Sequence, residues 1–194
     1  HKRTIEQSGK PLLNVLCIGT LEASKNHLSL LQACESLWAE GCQFELTLAG
    51  MLNKETGDSA AKEIQRLKSL GRNISWEGAV SDNRLQALYQ EADIFVYPSI
   101  YEGFGIPVLE AASYGLPILT THHGALKEVA SEGGCVICDG SSSMLSSELR
   151  NLLGDKALRE SLSRQANERE IRSMKDVTKD IQDFLAGFRL QPNS

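Results

Sequence analysis

A strand, a loop with two glycines and the start of a helix follow one another between residues 94 and 112, where the chain reads Ile94-Phe95-Val96-Tyr97-Pro98-Ser99-Ile100-Tyr101-Glu102-Gly103-Phe104-Gly105-Ile106-Pro107-Val108-Leu109-Glu110-Ala111-Ala112. The apolar run 94–97 is typical of a buried strand, and Pro98 ends it because proline cannot donate to a sheet ladder. Pro107 is favoured in the first turn of a helix, and Gly115 is favoured just past the end of one. This order predicts one step of a βαβ unit.

The same alternation of short β-rich runs and longer helical stretches extends in both directions from this segment. We predict further strands at 12–18, 44–49, 73–76, 117–121 and 135–138, and helices at 26–40, 60–70, 82–91, 107–115 and 125–130. Strands that alternate with helices form a parallel sheet with right-handed crossovers. The sequence therefore predicts an α/β fold with about six parallel strands and helices on both faces.

Only helical patterns follow Ser142, so extra C-terminal helices are expected there. These helices either pack back on the sheet domain or reach another domain. We predict that residues 1–194 form a single domain, with its core at about 13–155 and its C-terminal helices at about 156–190. A chain of this length can bury a sizeable core without disulfides or metals.

Composition and charge exclude several classes of protein. The chain has 20 Lys and Arg against 25 Asp and Glu, a formal net charge of −5, so it lacks the basic surface expected of a nucleic-acid-binding protein. It has no apolar stretch of about 18 residues, as a transmembrane segment requires, and the first six residues do not resemble a signal peptide. We predict a soluble, cytoplasmic protein, with peripheral attachment of the full-length protein to a membrane as the alternative.

Five cysteines, Cys17, Cys34, Cys42, Cys135 and Cys138, contain one pair with the spacing of metal ligands. A structural zinc site needs a second pair or two histidines at matching separation, and the sequence offers neither. The odd number also argues against a disulfide framework. We expect five reduced thiols and no metal site.

The turns at the carboxyl ends of the strands are where a parallel sheet binds its ligands. These turns are Gly19–Asn26, Gly50–Ser59, Gly78–Asp82, Pro98–Pro107 and Thr120–Ala125. In the fourth of them, Gly103 and Gly105 allow a ligand to approach the backbone, and the following helix directs free N–H groups at an anion. Glu102 and Glu110 flank this anion site. Carboxylates repel phosphate but accept hydrogen bonds from hydroxyls, so a nucleotide sugar, which carries phosphates and vicinal hydroxyls, fits both halves.

The segment from Glu102 to Glu110 resembles the E-x7-E signature of the retaining GT-B glycosyltransferases, particularly family 4. Other landmarks of that family occur in the same order: Gly19 with Lys25, Leu48-Ala49-Gly50, Trp76-Glu77-Gly78-Ala79-Val80-Ser81, Ala92-Asp93-Ile94-Phe95-Val96-Tyr97-Pro98-Ser99, and Gly124 with Glu128. The resemblance covers about residues 13–155. It implies a Rossmann-like, donor-binding C-terminal domain, and the acceptor-binding N-terminal domain has no counterpart in this sequence.

The resemblance also implies a role for particular residues. Glu102, near the reacting carbon of the sugar, and Lys25, at the leaving diphosphate, would be catalytic. Glu110 would hold the ribose hydroxyls. Further substrate contacts are implied at Gly103, Phe104, Gly105, Ile106, Gly19, Thr20 and Val80. The family needs no divalent metal or cofactor, and its nucleoside diphosphate sugar is a substrate.

Several alternatives stay open at the level of sequence. Thr20 follows Gly19 where the family usually has an arginine, so one phosphate-binding cation is missing unless Lys10 or Arg84 supplies it. Phe104 either anchors its loop or contacts the ligand, and His122 and His123 are interpreted as ordinary polar loop residues.

The leading functional hypothesis is the donor half of a retaining glycosyltransferase that moves a hexose to a saccharide, lipid or protein acceptor and that is inactive as this chain alone. The alternative is a non-catalytic nucleotide-sugar-binding module or subunit. An epimerase or phosphorylase on the same architecture fits the acidic loop less well.

Overall fold

Six strands form a central sheet in the structure, a computed structural model that describes residues 12–169. The strands are β1 Leu13–Ile18, β2 Phe44–Ala49, β3 Ile74–Trp76, β4 Ile94–Tyr97, β5 Ile118–Thr121 and β6 Cys135–Cys138. The helices are α1 His27–Ala39, α2 Asp58–Ser69, α3 Asp82–Glu91, α4 Ile106–Ser113, α5 Leu126–Ser131, α6 Ser142–Gly154 and α7 Lys156–Asn167. Lys10 and the helices predicted beyond residue 169 lie outside the described residues.

All neighbouring strands pair in parallel, in the order β3-β2-β1-β4-β5-β6. Strands β2 and β3 are added on one side of β1. The chain then crosses over, and β4, β5 and β6 are added on the other side of β1. The loops after β1 and β4 consequently leave the sheet toward opposite faces and open a crevice between them, which is the usual ligand position in such a sheet. The predicted α/β, Rossmann-like fold is confirmed.

Side chains that alternate along the strands divide the core into two layers. Val15 and Cys17 of β1 pack on one face with α1, α2 and α6, whereas Leu16 packs on the other face with α3, α4 and α5. Residues buried on both faces explain why the strands are nearly continuous apolar runs in the sequence.

The helices after Ser142 pack back on the sheet domain. Leu145, Leu149 and Leu152 of α6 are fully buried in the layer that contains α1. Helix α7 lies against the amino ends of β5 and β6, where the Ser163 hydroxyl donates to the Gly115 carbonyl at 2.6 Å. Because α6 contributes core residues, the compact unit includes the helices up to residue 167.

Candidate functional site at the carboxyl edge of the sheet

The loops after β1, β4 and β6 are tied together at the carboxyl edge of the sheet. Asn26 adopts a left-handed backbone conformation with φ 56°, and its side-chain amide donates to the carbonyls of Pro98 at 3.2 Å and Gly140 at 2.8 Å. The Ile100 amide donates to the Ser24 carbonyl at 2.9 Å. These bonds hold the segment around Lys25 against the loop that carries Glu102.

The loops after β1 and β2 approach each other so closely that any side chain at position 50 would clash. A β-carbon at position 50, where φ is +149°, would lie 1.9 Å from the Gly19 carbonyl oxygen. A β-carbon at Gly19 would make ordinary contact with Lys25 Cγ at 3.7 Å and Tyr97 Cε2 at 3.8 Å. Gly19 therefore lies beside Lys25 and Tyr97, and the Gly19 N–H is already used, since it donates to Ala49 at 2.9 Å.

Lys25, Tyr97 and Glu102 form a hydrogen-bonded cluster in the crevice. Lys25 Nζ donates to Glu102 Oε2 at 2.8 Å, and the Tyr97 hydroxyl donates to the same oxygen at 2.5 Å. The side chains of Lys25 and Glu102 are 19% and 15% exposed, so the pair is partly shielded from solvent. The other oxygen, Glu102 Oε1, accepts from the Gly103 amide at 3.2 Å.

The Glu102 carboxylate is ionised at any physiological pH. Burial favours its neutral form, but hydrogen bonds from Lys25 and Tyr97 and the Lys25 charge outweigh burial and lower the pKa of Glu102 to about 2. Lys25 is correspondingly held next to a permanent negative charge. The cluster offers a fixed anion and a fixed cation within one hydrogen bond of each other.

Glu110 lies in the second turn of α4 and is half-buried. Its Oε2 accepts from the hydroxyl of Tyr89, on α3, at 2.8 Å. Tyr89 and Tyr97 belong to one row of rings, because Phe95 lies 5.7 Å from Tyr89 and 6.2 Å from Tyr97 between ring centroids. The two acids are therefore hydrogen-bonded to the two ends of this row, on the same side of the sheet.

The loop between the two acids contains two glycines, Gly103 and Gly105, which differ in backbone conformation and in packing. Gly105 precedes α4 with φ +79°, and a β-carbon there would lie 3.0 Å from Leu126 Cδ2. Gly103 does not have a positive φ, and no atom of the described part of the chain lies within 4 Å of the position of a β-carbon there. Packing and conformation require glycine at 105 but not at 103, so open space adjoins Gly103.

Phe104 and Ile106 point outward from this loop, with exposed fractions of 61% and 56%. Phe104 is thus not buried. The interpretation that Phe104 anchors its loop is therefore wrong, and the interpretation that it contacts the ligand stays open. Within residues 12–169, the amides of Gly105 and Ile106 donate no backbone hydrogen bond, and no side chain caps α4. Two free N–H groups at the positive end of a helix are suited to an anion.

The remaining predicted contacts lie around this crevice. Thr20 is half-buried in the loop after β1, next to Gly19. Val80, predicted to line the nucleotide base, is partly buried against the core layer of Leu16 and also has a packing role. Arg84 is engaged by Glu77 at 2.6 Å and Glu91 at 3.0 Å, so it does not replace the missing cation.

His122 and His123 lie on the loop after β5, with ring centroids 4.6 Å apart. His122 Nδ1 is 3.1 Å from the Cys138 carbonyl and His123 Nε2 is 3.3 Å from the Asp139 carbonyl, so these nitrogens are donors. The bonds hold the loop after β5 to the end of β6, as expected of polar loop residues.

A different cleft, of about 480 Å³, lies at the opposite edge of the sheet. It is lined by residues around Asp93, Gly115, Arg159 and Arg164, between the amino ends of β4 and β5 and helix α7. The tyrosine–acid pairs are absent from this cleft. This open cleft and the lysine–acid–tyrosine cluster therefore lie at opposite edges of the sheet.

Other features of the described part of the chain bear on cofactors and location. Residues 12–169 contain no group of three His, Cys, Asp or Glu arranged to hold a metal ion, and none of their helices is long and apolar enough to cross a membrane. All five cysteines are free thiols, and burial raises the pKa of Cys17 to about 12. These thiols are packing residues.

Sequence reasoning did not single out Tyr89 and Tyr97 as site residues. Tyr97 could have been found, because it is the last residue of a strand whose carboxyl end faces the predicted site. Nothing local marks Tyr89, whose contact with Glu110 depends on how α3 packs beside α4.

Comparison with known proteins identifies the family. The sequence model described as "Glycosyl transferases group 1" matches residues 2–169. The chain is 36% identical over 146 residues to the O-antigen chain mannosyltransferase B of Escherichia coli, an alignment that covers 75% of this chain and 38% of that protein. It is 33% identical over 126 residues to the mannosylfructose-phosphate synthase of Agrobacterium fabrum, covering 61% of this chain and 27% of that protein. The chain thus spans well under half of the length of these relatives.

Solved structures show the same fold. The C-terminal domain of a group 1 family glycosyl transferase, LpcC, from Francisella tularensis superimposes with a TM-score of 0.71 at 21% identity, covering 87% of this chain and 86% of that one. Alr3699/HepE of Anabaena, solved in complex with UDP and glucose, superimposes with a TM-score of 0.78 at 18% identity, covering 90% of this chain and 48% of that one.

Fold and site together define a doubly wound α/β domain of the GT-B type, with a lysine–acid–tyrosine cluster at its switch point. The chain belongs to the group 1 glycosyltransferase family, and the resemblance stated from its sequence is confirmed.

Proposed function

We propose that this chain binds a nucleoside diphosphate sugar at the carboxyl edge of its sheet and forms the donor half of a retaining hexosyltransferase. The observation that carries the proposal is the contact of Lys25 with Glu102 beside the amides of Gly105 and Ile106, which donate no backbone hydrogen bond within residues 12–169. A cation and helix N–H groups suit a pyrophosphate, and ionised acids suit sugar hydroxyls.

Each group then has a place in the transfer. Glu110 accepts from the ribose hydroxyls, and Glu102 lies at the sugar, where its charge stabilises positive charge that develops at the reacting carbon. Lys25 and the amides at the start of α4 stabilise the departing diphosphate. The acceptor hydroxyl attacks the anomeric carbon from the face that the diphosphate leaves and gives its proton to the departing diphosphate, so the anomeric configuration is retained. Pre-organised donors of this kind typically contribute about 10²–10³ in rate each.

Mannose is the first sugar to test, because the similar Escherichia coli and Agrobacterium proteins are named for mannosyl transfer or a mannosyl product. We propose that acceptor recognition lies in the part of the relatives' length that this chain does not span.

Calorimetric titration of this chain with UDP, GDP and ADP tests the proposal. We expect one base to be preferred and Glu110→Ala to weaken binding by roughly 10- to 100-fold, since a hydrogen bond to a charged group is lost. Glu160→Ala is the matched control, because Glu160 is an acid at the opposite edge of the sheet. Failure of all three nucleotides to bind at millimolar concentration would contradict the proposal.

A second candidate is a nucleotide-sugar-binding module without catalysis. Thr20 in place of a cation and the engagement of Arg84 by two acids favour it. Both candidates predict that this chain alone transfers no sugar to an acceptor. Turnover by the chain alone, followed as release of nucleoside diphosphate in the presence of acceptor saccharides, would refute the half-enzyme assignment.

A further inference from the structure

The two acids share a feature that their proposed roles do not require: each accepts a hydrogen bond from the hydroxyl of a buried tyrosine. Tyr97 donates to Glu102 at 2.5 Å, and Tyr89 donates to Glu110 at 2.8 Å. Tyr97 is 3% exposed and Tyr89 is 2% exposed. A buried phenol needs a partner for its hydroxyl, and in both cases the carboxylate is that partner.

The tyrosine rings are fixed by the core and not by the acids. Phe95 lies between them in the row of rings, and Tyr114 stacks on Tyr89 with centroids 5.1 Å apart and an interplanar angle of 12°. Close packing leaves such rings one position. The hydroxyls are thus stationary donors, and each acid is oriented by the sheet and its helices.

Only one oxygen of each acid is engaged by these donors. Both Lys25 and Tyr97 donate to Oε2 of Glu102, whereas Oε1 accepts from the Gly103 amide at 3.2 Å, and the Phe104 amide also donates to this carboxylate. Tyr89 meets Oε2 of Glu110, with the Pro107 carbonyl 3.4 Å from the same hydroxyl, and within the described residues Oε1 of Glu110 has no hydrogen bond. Neither the lysine nor a tyrosine engages Oε1 of either acid, and a carboxylate oxygen accepts more than one hydrogen bond, so each Oε1 can still accept from a ligand hydroxyl.

We propose that Tyr97 and Tyr89 are positioning residues that hold Oε2 of Glu102 and Oε2 of Glu110, respectively, so that the second oxygen of each acid faces the sugar or the ribose. This inference rests on the proposed function. Burial raises the pKa of both phenols, so each stays a neutral donor over the physiological range. A neutral donor orients a carboxylate and leaves its negative charge in place. A second lysine would instead neutralise that charge.

The inference separates the two tyrosines by the part of the ligand that they affect. Tyr97→Phe removes only the hydroxyl that holds the sugar-binding acid. It should weaken binding of the nucleotide sugar by roughly 3- to 10-fold and change binding of the free nucleoside diphosphate by less than about twofold. Tyr89→Phe should weaken both ligands by a similar factor, since both carry the ribose.

Titration calorimetry of this chain tests this separation with the preferred nucleoside diphosphate, its mannose conjugate, and an analogue without the ribose 2′ and 3′ hydroxyls. Wild type and Tyr89→Phe should bind the analogue equally. Tyr114→Phe is the matched control, because it removes a phenol hydroxyl from the same stack, and that hydroxyl has no hydrogen-bond partner in the described part of the chain. This control should bind all ligands like wild type.

A readout without ligand completes the test. The Tyr97 hydroxyl proton should give a downfield, slowly exchanging NMR resonance that is lost in Tyr97→Phe and shifts upfield in Glu102→Gln. The positioning role would be overturned if Tyr97→Phe or Tyr89→Phe bound its ligands with wild-type affinity. It would also be overturned if a variant bound all three ligands more weakly by the same factor and unfolded at a lower temperature. If wild type bound no nucleotide, the proposed function, on which the positioning role depends, would be overturned instead.

Discussion

Glu102 and Lys25 show how a single ion pair serves both the fold and the proposed site. The pair is partly shielded, and Tyr97 adds a second donor to the same carboxylate oxygen. Charge-assisted bonds of this kind are about twice as strong as neutral ones. The arrangement keeps the anion in place without ligand, and we expect it to make stability depend on pH.

The sign of that dependence follows from the pKa of Glu102, which falls from 4.5 to about 2 on folding. Ionisation therefore stabilises the fold by roughly 3 kcal/mol above pH 4.5, and this contribution is lost as the pH falls toward 2. In urea unfolding, wild type should exceed Glu102→Gln in stability at pH 7, and the difference should shrink as the pH falls below 4.5. A difference that does not change with pH would refute the linkage. Glu160→Gln, at a side chain that is 56% exposed, is the control.

Gly103 provides a test at the same scale that separates binding from stability. No atom of residues 12–169 lies within 4 Å of a β-carbon at 103, and φ there is not positive, so Gly103→Ala should unfold at the temperature of wild type or slightly above it. If the donor sugar occupies the open space, the variant should lose roughly tenfold or more in nucleotide-sugar affinity, measured by calorimetry. Gly105→Ala is the contrasting variant and should lose stability, because residue 105 has φ +79°. Unchanged affinity in Gly103→Ala would exclude a ligand at this position.

At the scale of elements, β4, its loop and α4 were predictable because proline and glycine delimit them. The predicted helix 107–115 is observed as Ile106–Ser113, and the loop between strand and helix was placed correctly. Helix α1 begins one residue later than predicted because Asn26 takes a left-handed conformation and uses its side chain on Pro98 and Gly140. The pairing of Tyr89 with Glu110 joins residues 21 apart through helix packing, and no local pattern encodes it.

The close contact between the loops after β1 and β2 can be tested by a single substitution. Gly50→Ala would place a β-carbon 1.9 Å from the Gly19 carbonyl oxygen, which displaces the loop that leads to Lys25. We expect a loss of about 1–3 kcal/mol in the free energy of unfolding, together with weaker nucleotide binding. Gly154→Ala is the matched control, since a β-carbon there meets nothing within 4 Å, and it should be neutral or stabilising. Wild-type stability in Gly50→Ala would contradict the packing described.

At the scale of the whole molecule, the reversal of strand order between β1 and β4 decides where the chemistry lies. It places the loops of Lys25 and Glu102 side by side, whereas α7 closes over the amino ends of β5 and β6. The order of the strands was not predictable from one sequence, although the alternation of strands and helices was. The cleft of about 480 Å³ at the α7 edge is the competing location for a ligand.

A crystal structure of this chain with the preferred nucleoside diphosphate mannose decides between the two edges. We expect ribose hydroxyls within about 3.2 Å of Glu110, the hexose beside Glu102, and the pyrophosphate between Lys25 and the amides of Gly105 and Ile106. Ligand density in the cleft beside Arg159, or a bound donor that touches neither acid, would contradict it.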